Sequence, residues 1–492
     1  MVSPTAGELT ERDSVAVAGT FSDDRRVVRL SYLLDGGAEQ TVEGASGRAA
    51  SFRFAVKPGP GEHRLEVRAY DEAGNRAART VAFTAASVEV RLTAPVPGTT
   101  VEAFAVRLHG YIDTPLRVDS VTYSVNGGAE RPFCLPGYLA GPVCSRYDAG
   151  RHTFTWEADS LPRGDVRIQV FAYDSRRQKI GAGSVRLRVS VPVRYYQVTP
   201  IDAPDGSAPL SLYLAPLRLN DRGQVLGVHG SYPNEKLFFW ENGRATDLGL
   251  RVDQSSPRSA LNDSGQVAAN AYPDDECQDL FTWKPGQGQP VRVGECNFLL
   301  DLDNRGRMLV LSKFGPVYRG ALLTRDTIVY LQGGYLWPRF VNDAGQVVGT
   351  ASEVGEAWLS PDRAPQALGT PCDPKGLNDR GQLLCAASGG FVLSGGQKLP
   401  VAGIGREGST TLLDINNRSQ VVGTYALYSL LRTGTTRAFV WDGGRTYAIE
   451  TRSGDWEIEY ASKINDGGVI LAQAVRRGVA GSSRTVLLTP EP

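Results

Sequence analysis

Asn220-Asp221-Arg222-Gly223-Gln224 is a five-residue stretch that returns six more times along the chain. It comes back as Asn262-Asp263-Ser264-Gly265-Gln266, Asp303-Asn304-Arg305-Gly306-Arg307 and Asn342-Asp343-Ala344-Gly345-Gln346. Asn378-Asp379-Arg380-Gly381-Gln382, Asn416-Asn417-Arg418-Ser419-Gln420 and Asn465-Asp466-Gly467-Gly468-Val469 complete the series. Their first residues stand 42, 41, 39, 36, 38 and 49 positions apart, a period typical of repeat architectures. Asx side chains bond their own backbone and glycine supplies positive φ, so each copy specifies a tight reversal.

Working outward from the first copy, Leu217-Arg218-Leu219 reads as a strand entering the turn and Gln224-Val225-Leu226-Gly227-Val228 as a strand leaving it. Leu237-Phe238-Phe239-Trp240 is a third strand, and Glu241-Asn242-Gly243-Arg244 turns into a fourth at Ala245-Thr246-Asp247-Leu248-Gly249. Four short antiparallel strands in about 40 residues make one β-propeller blade. The seventh unit has strands near Val469-Ile470-Leu471 and Thr485-Val486-Leu487-Leu488 and then stops one strand short at Pro492. Arg194-Tyr195-Tyr196-Gln197-Val198, just before the first repeat, is an unassigned strand that would complete it. Closure by three strands from the C-terminus and one from the N-terminus removes two sheet edges at once.

Upstream, period-2 strands with turn residues between them fill the first 192 residues, and no amphipathic helix intervenes. One plan occurs twice. Tyr32 with Asp35-Gly36-Gly37-Ala38-Glu39 matches Tyr123 with Asn126-Gly127-Gly128-Ala129-Glu130 at an offset of 91, and Ala69-Tyr70-Asp71 matches Ala172-Tyr173-Asp174 at an offset of 103. The second copy has gained about a dozen residues, and Cys134 and Cys144 sit in that gain. The expected fold is therefore all-β: two tandem Ig-like β-sandwiches over residues 1–86 and 87–192, then a seven-bladed β-propeller over 193–492.

Composition narrows the function classes. The 53 basic and 53 acidic residues cancel without forming blocks, which disfavours a nucleic-acid partner. No apolar run reaches the length of a membrane span, and the chain does not open on a secretory h-region. The six cysteines fall as local pairs, Cys134 with Cys144, Cys277 with Cys296 and Cys372 with Cys385. An even count at short spacing suits disulfides in an oxidising compartment, although six cysteines allow 15 connectivities and buried free thiols are the alternative. With no CxxC and four histidines in the whole chain, neither a metal site nor a cofactor is expected.

Two resemblances add to this. Arg64-Leu65-Glu66-Val67-Arg68-Ala69-Tyr70-Asp71-Glu72-Ala73-Gly74-Asn75 resembles the closing hairpin of bacterial immunoglobulin-like domains. Ile415-Asn416-Asn417-Arg418-Ser419-Gln420-Val421-Val422-Gly423-Thr424, followed by Arg437-Ala438-Phe439-Val440-Trp441 and Gly443-Gly444-Arg445, resembles the bacterial extracellular HAF repeat. The family's His is absent from all seven copies, while Trp240, Trp283 and Trp441 keep its tryptophan. The resemblance implies an exported bacterial propeller at the cell surface or outside the cell, with the export signal absent from this chain, and it carries no established chemistry.

Nothing in the sequence assembles a catalytic motif: G-x-S-x-G, H-E-x-x-H and the P-loop are all missing. Asp301-Leu302-Asp303-Asn304-Arg305-Gly306 has the outline of a calcium loop, but Arg305 stands where a ligand is required and the turn recurs in every unit, so a structural Asx turn is expected. Arg163-Gly164-Asp165 reads as an ordinary turn before the strand at Val166. The loops opposite the Asn-Asp turns are longer and richer in aromatics, and function tends to collect in such loops. Tyr232, Tyr272, Asp274, Asp275, Tyr335, Trp337, Tyr428, Trp456 and Tyr460 are the candidate ligand-binding residues, with Tyr425 beside them. Aromatic platforms with carboxylates suit carbohydrate or a cell-surface or matrix protein. The leading expectation is a non-enzymatic surface or matrix protein displayed on Ig-like spacers. The alternatives are a propeller-type polysaccharide hydrolase or lyase using carboxylate and tyrosine chemistry, and a purely structural scaffold.

Overall fold

The computed structural model describes residues 3–10, 14–59, 61–85, 88–113, 118–132, 147–148, 153–158, 161–174, 176–209, 217–231, 234–252, 258–271, 279–295, 297–314, 317–324, 327–386, 390–404, 410–427, 435–479 and 481–491. They form strands, turns and bends throughout, with no helix among them. The chain divides into two compact units, Met1–Ser190 and Val191–Pro492.

In the first unit, strands from Leu9 to Ala85 make one sheet and strands from Val88 to Val189 another. The duplicated landmarks explain themselves. Asp35 and Gly36 have φ of 53° and 71°, and Asn126 and Gly127 have 51° and 73°, the left-handed pair that a two-residue hairpin demands. The side chains of Asp35 and Asn126 each accept a backbone N–H from the neighbouring strand, Arg64 at 2.7 Å and Arg167 at 2.8 Å. Beyond each hairpin, a tyrosine hydroxyl donates to the glutamate: Tyr70 to Glu39 at 3.0 Å, and Tyr173 to Glu130. Gly164 and Asp165 belong to the strand Gly164–Tyr173, with Asp165 opposite Arg188, so these two are ladder and not turn, while Arg163 forms a bend just before the strand.

The second unit holds five separate four-stranded antiparallel sheets, each built from consecutive strands, and one eight-stranded sheet. The latter joins the strands of the sixth repeat to those of the seventh through Val193–Pro200. Its Tyr196–Pro200 half pairs antiparallel with the last strand, Arg484–Pro490. Its first half, Val193–Tyr195, pairs parallel with Ala448–Glu450 of the sixth repeat, a junction that repeat counting did not foresee. Hydrophobic clusters lie between consecutive repeats: Phe239 of the first packs on Trp283 of the second at 5.1 Å, and Leu217 and Phe238 share a cluster with Leu471 and Leu487 of the seventh. Trp240, Trp283 and Trp441 are all buried. The glycine after Gln-Val-x makes room for a ring: a Cβ on Gly227 would lie 2.4 Å from Phe238, and one on Gly423 would lie 3.0 Å from Phe439.

The Asx turns do more than reverse the chain. In the first, Asn220 Oδ1 accepts the N–H groups of Arg222 and Gln224, and its Nδ2 donates to Gln224 Oε1 and to the backbone oxygen of Asn262 in the next turn. Asn262 reaches Asp303, Asn342 reaches Asn378, Asn378 reaches Asn416, Asn416 reaches Asn465, and Asn465 returns to Asn220, all at 2.8–3.0 Å. At the third turn Arg307 makes the link, donating to the oxygens of Asn342 and Asp343. The second residue of each turn forms a parallel circuit, its N–H donating to the next side chain in the order 221, 263, 304, 343, 379, 417, 466 and back to 221. Seven turns thus close a double ring of hydrogen bonds.

Candidate functional site

Each first strand runs toward the ring of turns, so its opening residues lie at the opposite end, with the loops between second and third strands. Four groups of side chains occupy that end among the described residues.

Tyr335 and Trp337, at the opening of the fourth repeat's first strand, are 63% and 45% exposed, with ring centroids 6.2 Å apart and planes 32° from one another. Trp337 lies on the strand Leu336–Val341 and not in a loop, as do Trp456 and Tyr460 on Trp456–Ile464. Strand alternation aims such residues more sharply than a loop would. Trp456 is half-buried beneath Arg476, whose guanidinium carbon sits 6.0 Å from the ring. Tyr460 is half-buried against the cluster around Leu217 and Phe238. Tyr425 is 2% exposed and therefore no surface aromatic; burial pushes its hydroxyl upward in pKa. Of the expected set, the structure brings Tyr335 and Trp337 together. Tyr232, Tyr272, Asp274, Asp275 and Tyr428 lie outside the described residues, as do Cys134, Cys144, Cys277 and Cys296. Cys372 and Cys385 form a disulfide.

A second aromatic group escaped the sequence reading. Phe298 packs on Tyr318 at 5.0 Å, and the Arg258 guanidinium lies 5.1 Å above Phe298. Phe298 opens the first strand of the third repeat, as Trp337 does in the fourth; repeat alignment would have flagged it. The third group lies beside the sixth and seventh repeats. Arg437, directly opposite Tyr425 in the ladder, is ion-paired with Glu457. Burial raises the pKa of nearby Glu459, and the charge of Arg437 opposes that rise.

The fourth group surrounds His229, the last residue of Val225–His229, with Asp205 and Asp247 on either side of its ring.

Deeper, two positions before the turn, the first strands carry Arg218, Asp301, Asp414 and Lys463. In five of these strands the register slips at the residue before this position, at Leu299/Asp301, Pro338/Phe340, Pro374/Gly376, Leu412/Asp414 and Ala461/Lys463, and bulges re-aim side chains. The two aspartates occupy equivalent places: Asp301 Oδ2 accepts the Val341 N–H and Asp414 Oδ2 the Ile464 N–H, both at 3.0 Å. Lys463 Nζ stands 3.1 Å from Asp414. Burial pushes the Asp301 carboxyl up to about 6, against its backbone hydrogen bonds and the charges of Arg218 and Lys463. Burial lowers Arg218, and Asp301 and Asp414 oppose that. Single residues at spacings of about 40 carry no motif, so this layer is visible only when the repeats are superposed in space.

Among the described residues, no group of three or more His, Cys, Asp or Glu could hold a metal ion, and no helix is long and apolar enough to cross a membrane. No protein-family model and no curated protein matches the chain. Solved structures do. TolB from Acinetobacter baumannii aligns at 11% identity over 67% of this chain and 77% of its own, with a TM-score of 0.29. An auxiliary nutrient binding protein from Bacteroides ovatus aligns at 11% identity over 82% and 98%, with a TM-score of 0.28. SGBP-B of the Bacteroides ovatus mixed-linkage glucan utilization locus, in complex with a mixed-linkage heptasaccharide, aligns at 11% identity over 69% and 71%, with a TM-score of 0.18. At such scores the functional reading rests on this chain's own residues.

Proposed function

We propose that residues 193–492 are a seven-bladed β-propeller closed by three C-terminal strands and one N-terminal strand, carried on two Ig-like sandwiches, and that its long-loop end binds carbohydrate. The repeated four-strand order and the closed circuit of turns support the architecture. The Cys372–Cys385 disulfide supports an exported, extracellular or cell-surface setting. The exposed Tyr335–Trp337 pair carries the ligand reading. Large aromatic faces left in water at the opening of a strand match the C–H faces of pyranose rings. Phe298, Tyr318 and Arg258 extend the surface on the preceding repeats.

The test is a glycan array probed with the full chain, followed by titration of the best ligand against Trp337→Ala and Trp456→Ala. Trp337→Ala is expected to weaken binding about tenfold or more, as loss of an aromatic anchor does, while half-buried Trp456 contributes less. Unchanged binding by Trp337→Ala, or no glycan bound at all, sinks this reading.

A further inference from the structure

His229 is 8% exposed, and neither ring nitrogen has a hydrogen-bond partner among the described residues. Buried polar groups left this way are rare and call for a specific account. Nδ1 stands 3.7 Å from Asp205 Oδ2 and Nε2 stands 3.8 Å from Asp247 Oδ2, just beyond hydrogen-bond range. Both carboxylates are pre-aimed in the same manner. Asp205 commits Oδ1 to the N–H and hydroxyl of Ser207, at 2.9 and 2.6 Å, which leaves Oδ2 toward the imidazole. Asp247 commits Oδ1 to the Gly249 N–H at 2.7 Å, and its Oδ2 also faces His229. Phe238 presents itself edge-on to the ring at 5.8 Å.

We propose that His229 is a proton-operated latch that ties the segment entering the repeat domain to the first repeat. A neutral imidazole has one N–H and can serve one of two facing carboxylates; the imidazolium has two and serves both. Asp205 belongs to the segment between Val193–Pro200 and the first repeat, His229 to that repeat's second strand, and Asp247 to its fourth. Charging the ring therefore joins three stretches of chain through two charge-assisted hydrogen bonds from a buried imidazole to two carboxylates at the protein surface. Among the described residues, the charged groups around it include Lys236, 3.6 Å from Asp247 Oδ2, Arg251, opposite Lys236 in the ladder, and Glu235, 2% exposed with Oε1 unpartnered. Lys236 shares Asp247 Oδ2 with the ring, at 3.6 Å against 3.8 Å.

The test is NMR of the full chain with 15N-labelled histidine, His229 being assigned by its loss in His229→Gln. Across a pH series, the latch predicts two slowly exchanging ring N–H signals from the charged His229 ring and at most one from the neutral ring. Asp205→Ala should abolish the protection of Nδ1–H alone and Asp247→Ala that of Nε2–H alone, in proteins whose backbone spectra remain dispersed. Amide exchange at residues 203–207, corrected for intrinsic pH dependence, should slow several-fold on acidification in the parent and not in His229→Gln. Protons of the charged ring that exchange at the solvent rate, or protection untouched by both alanine variants, overturn the proposal.

Discussion

Asp466 donates its backbone N–H to Oδ1 of Asp221 at 2.7 Å, across 245 positions of chain. This bond closes the outer circuit of the turns, and it does so between two carboxylates. Elsewhere in the circuit an asparagine relieves the crowding: Asn304 Nδ2 bridges Asp263 and Asp343, and Asn417 Nδ2 bridges Asp379 and Asp466. Asp221 has aspartate on both sides. Its carboxyl is pushed up to about 6, first by burial and then by the charges of Asp263 and Asp466, against the Asp466 N–H.

A carboxyl raised in the folded state binds its proton more tightly there than in the unfolded chain. The stability it contributes is complete below the ordinary value of 3.8 and is lost as pH rises through about 6. Asp221→Asn should therefore raise the thermal midpoint at pH 7.5 and leave it unchanged near pH 4. The variant-minus-parent difference isolates this group from Asp301, which titrates in the same window. Equal midpoints at pH 7.5 would argue that the seam carries no repulsion.

Asp303 and Arg307 replace the Asn–Gln pair of five other turns, with the donor moved to the opposite end. Arg307 Nε donates to Asp303 Oδ2 at 2.5 Å, where Asn342 Nδ2 donates to Gln346 Oε1 at 2.7 Å. Asp303→Asn and Arg307→Gln should each cost about 1–3 kcal/mol, since each leaves a buried group mismatched. The double variant restores the amide pair and should recover most of the loss. A double-mutant cycle in urea measures it, with a coupling of about 1 kcal/mol or more expected.

Ser419 holds a φ of 64° where the six other turns place glycine at the same position. Its hydroxyl donates to Gln382 Oε1 at 2.6 Å, the site against which a Cβ at Gly381 would meet Gln346 Oε1 at 2.9 Å. Ser419→Gly exchanges that bond for relief of the backbone and should stay within about 0.5 kcal/mol. Ser419→Ala keeps the strain and sets a methyl against an amide oxygen, so about 1–2 kcal/mol should be lost. Urea midpoints of the three proteins rank the outcomes.

The Cys372–Cys385 disulfide closes a separation of 13 residues around the fifth repeat's turn. Cys372→Ala with Cys385→Ala should lower stability by about 3 kcal/mol, as loss of a loop of that size predicts. Calorimetry with and without reductant checks this: the parent should fall toward the variant, and the variant should not respond if this bond alone is responsible.

How much was legible follows from the range of each interaction. The seven turns, the four strands per repeat and the Val193–Pro200 strand on Arg484–Pro490 could be read because Asx bonding, glycine φ and strand alternation act within a few residues. The landmarks Tyr70 and Glu39, and Tyr173 and Glu130, stood out as repeated letters, but that each pair hydrogen-bonds is a fact of the sheet. The binding residues were half legible. Trp337 was named for its aromatic character and found exposed; Tyr425 was named for the same reason and found buried, because which way a strand residue points depends on the sheet it joins. The sequence by itself determined the repeat and its turn chemistry. Only the tertiary structure decided that the turns bond one another in a closed double ring, that Asp221 has no asparagine beside it, and that His229 stands between Asp205 and Asp247. Those contacts join residues 18 to 245 positions apart, and their geometry is set by how strands associate within a sheet and how sheets pack on one another, which no local propensity encodes.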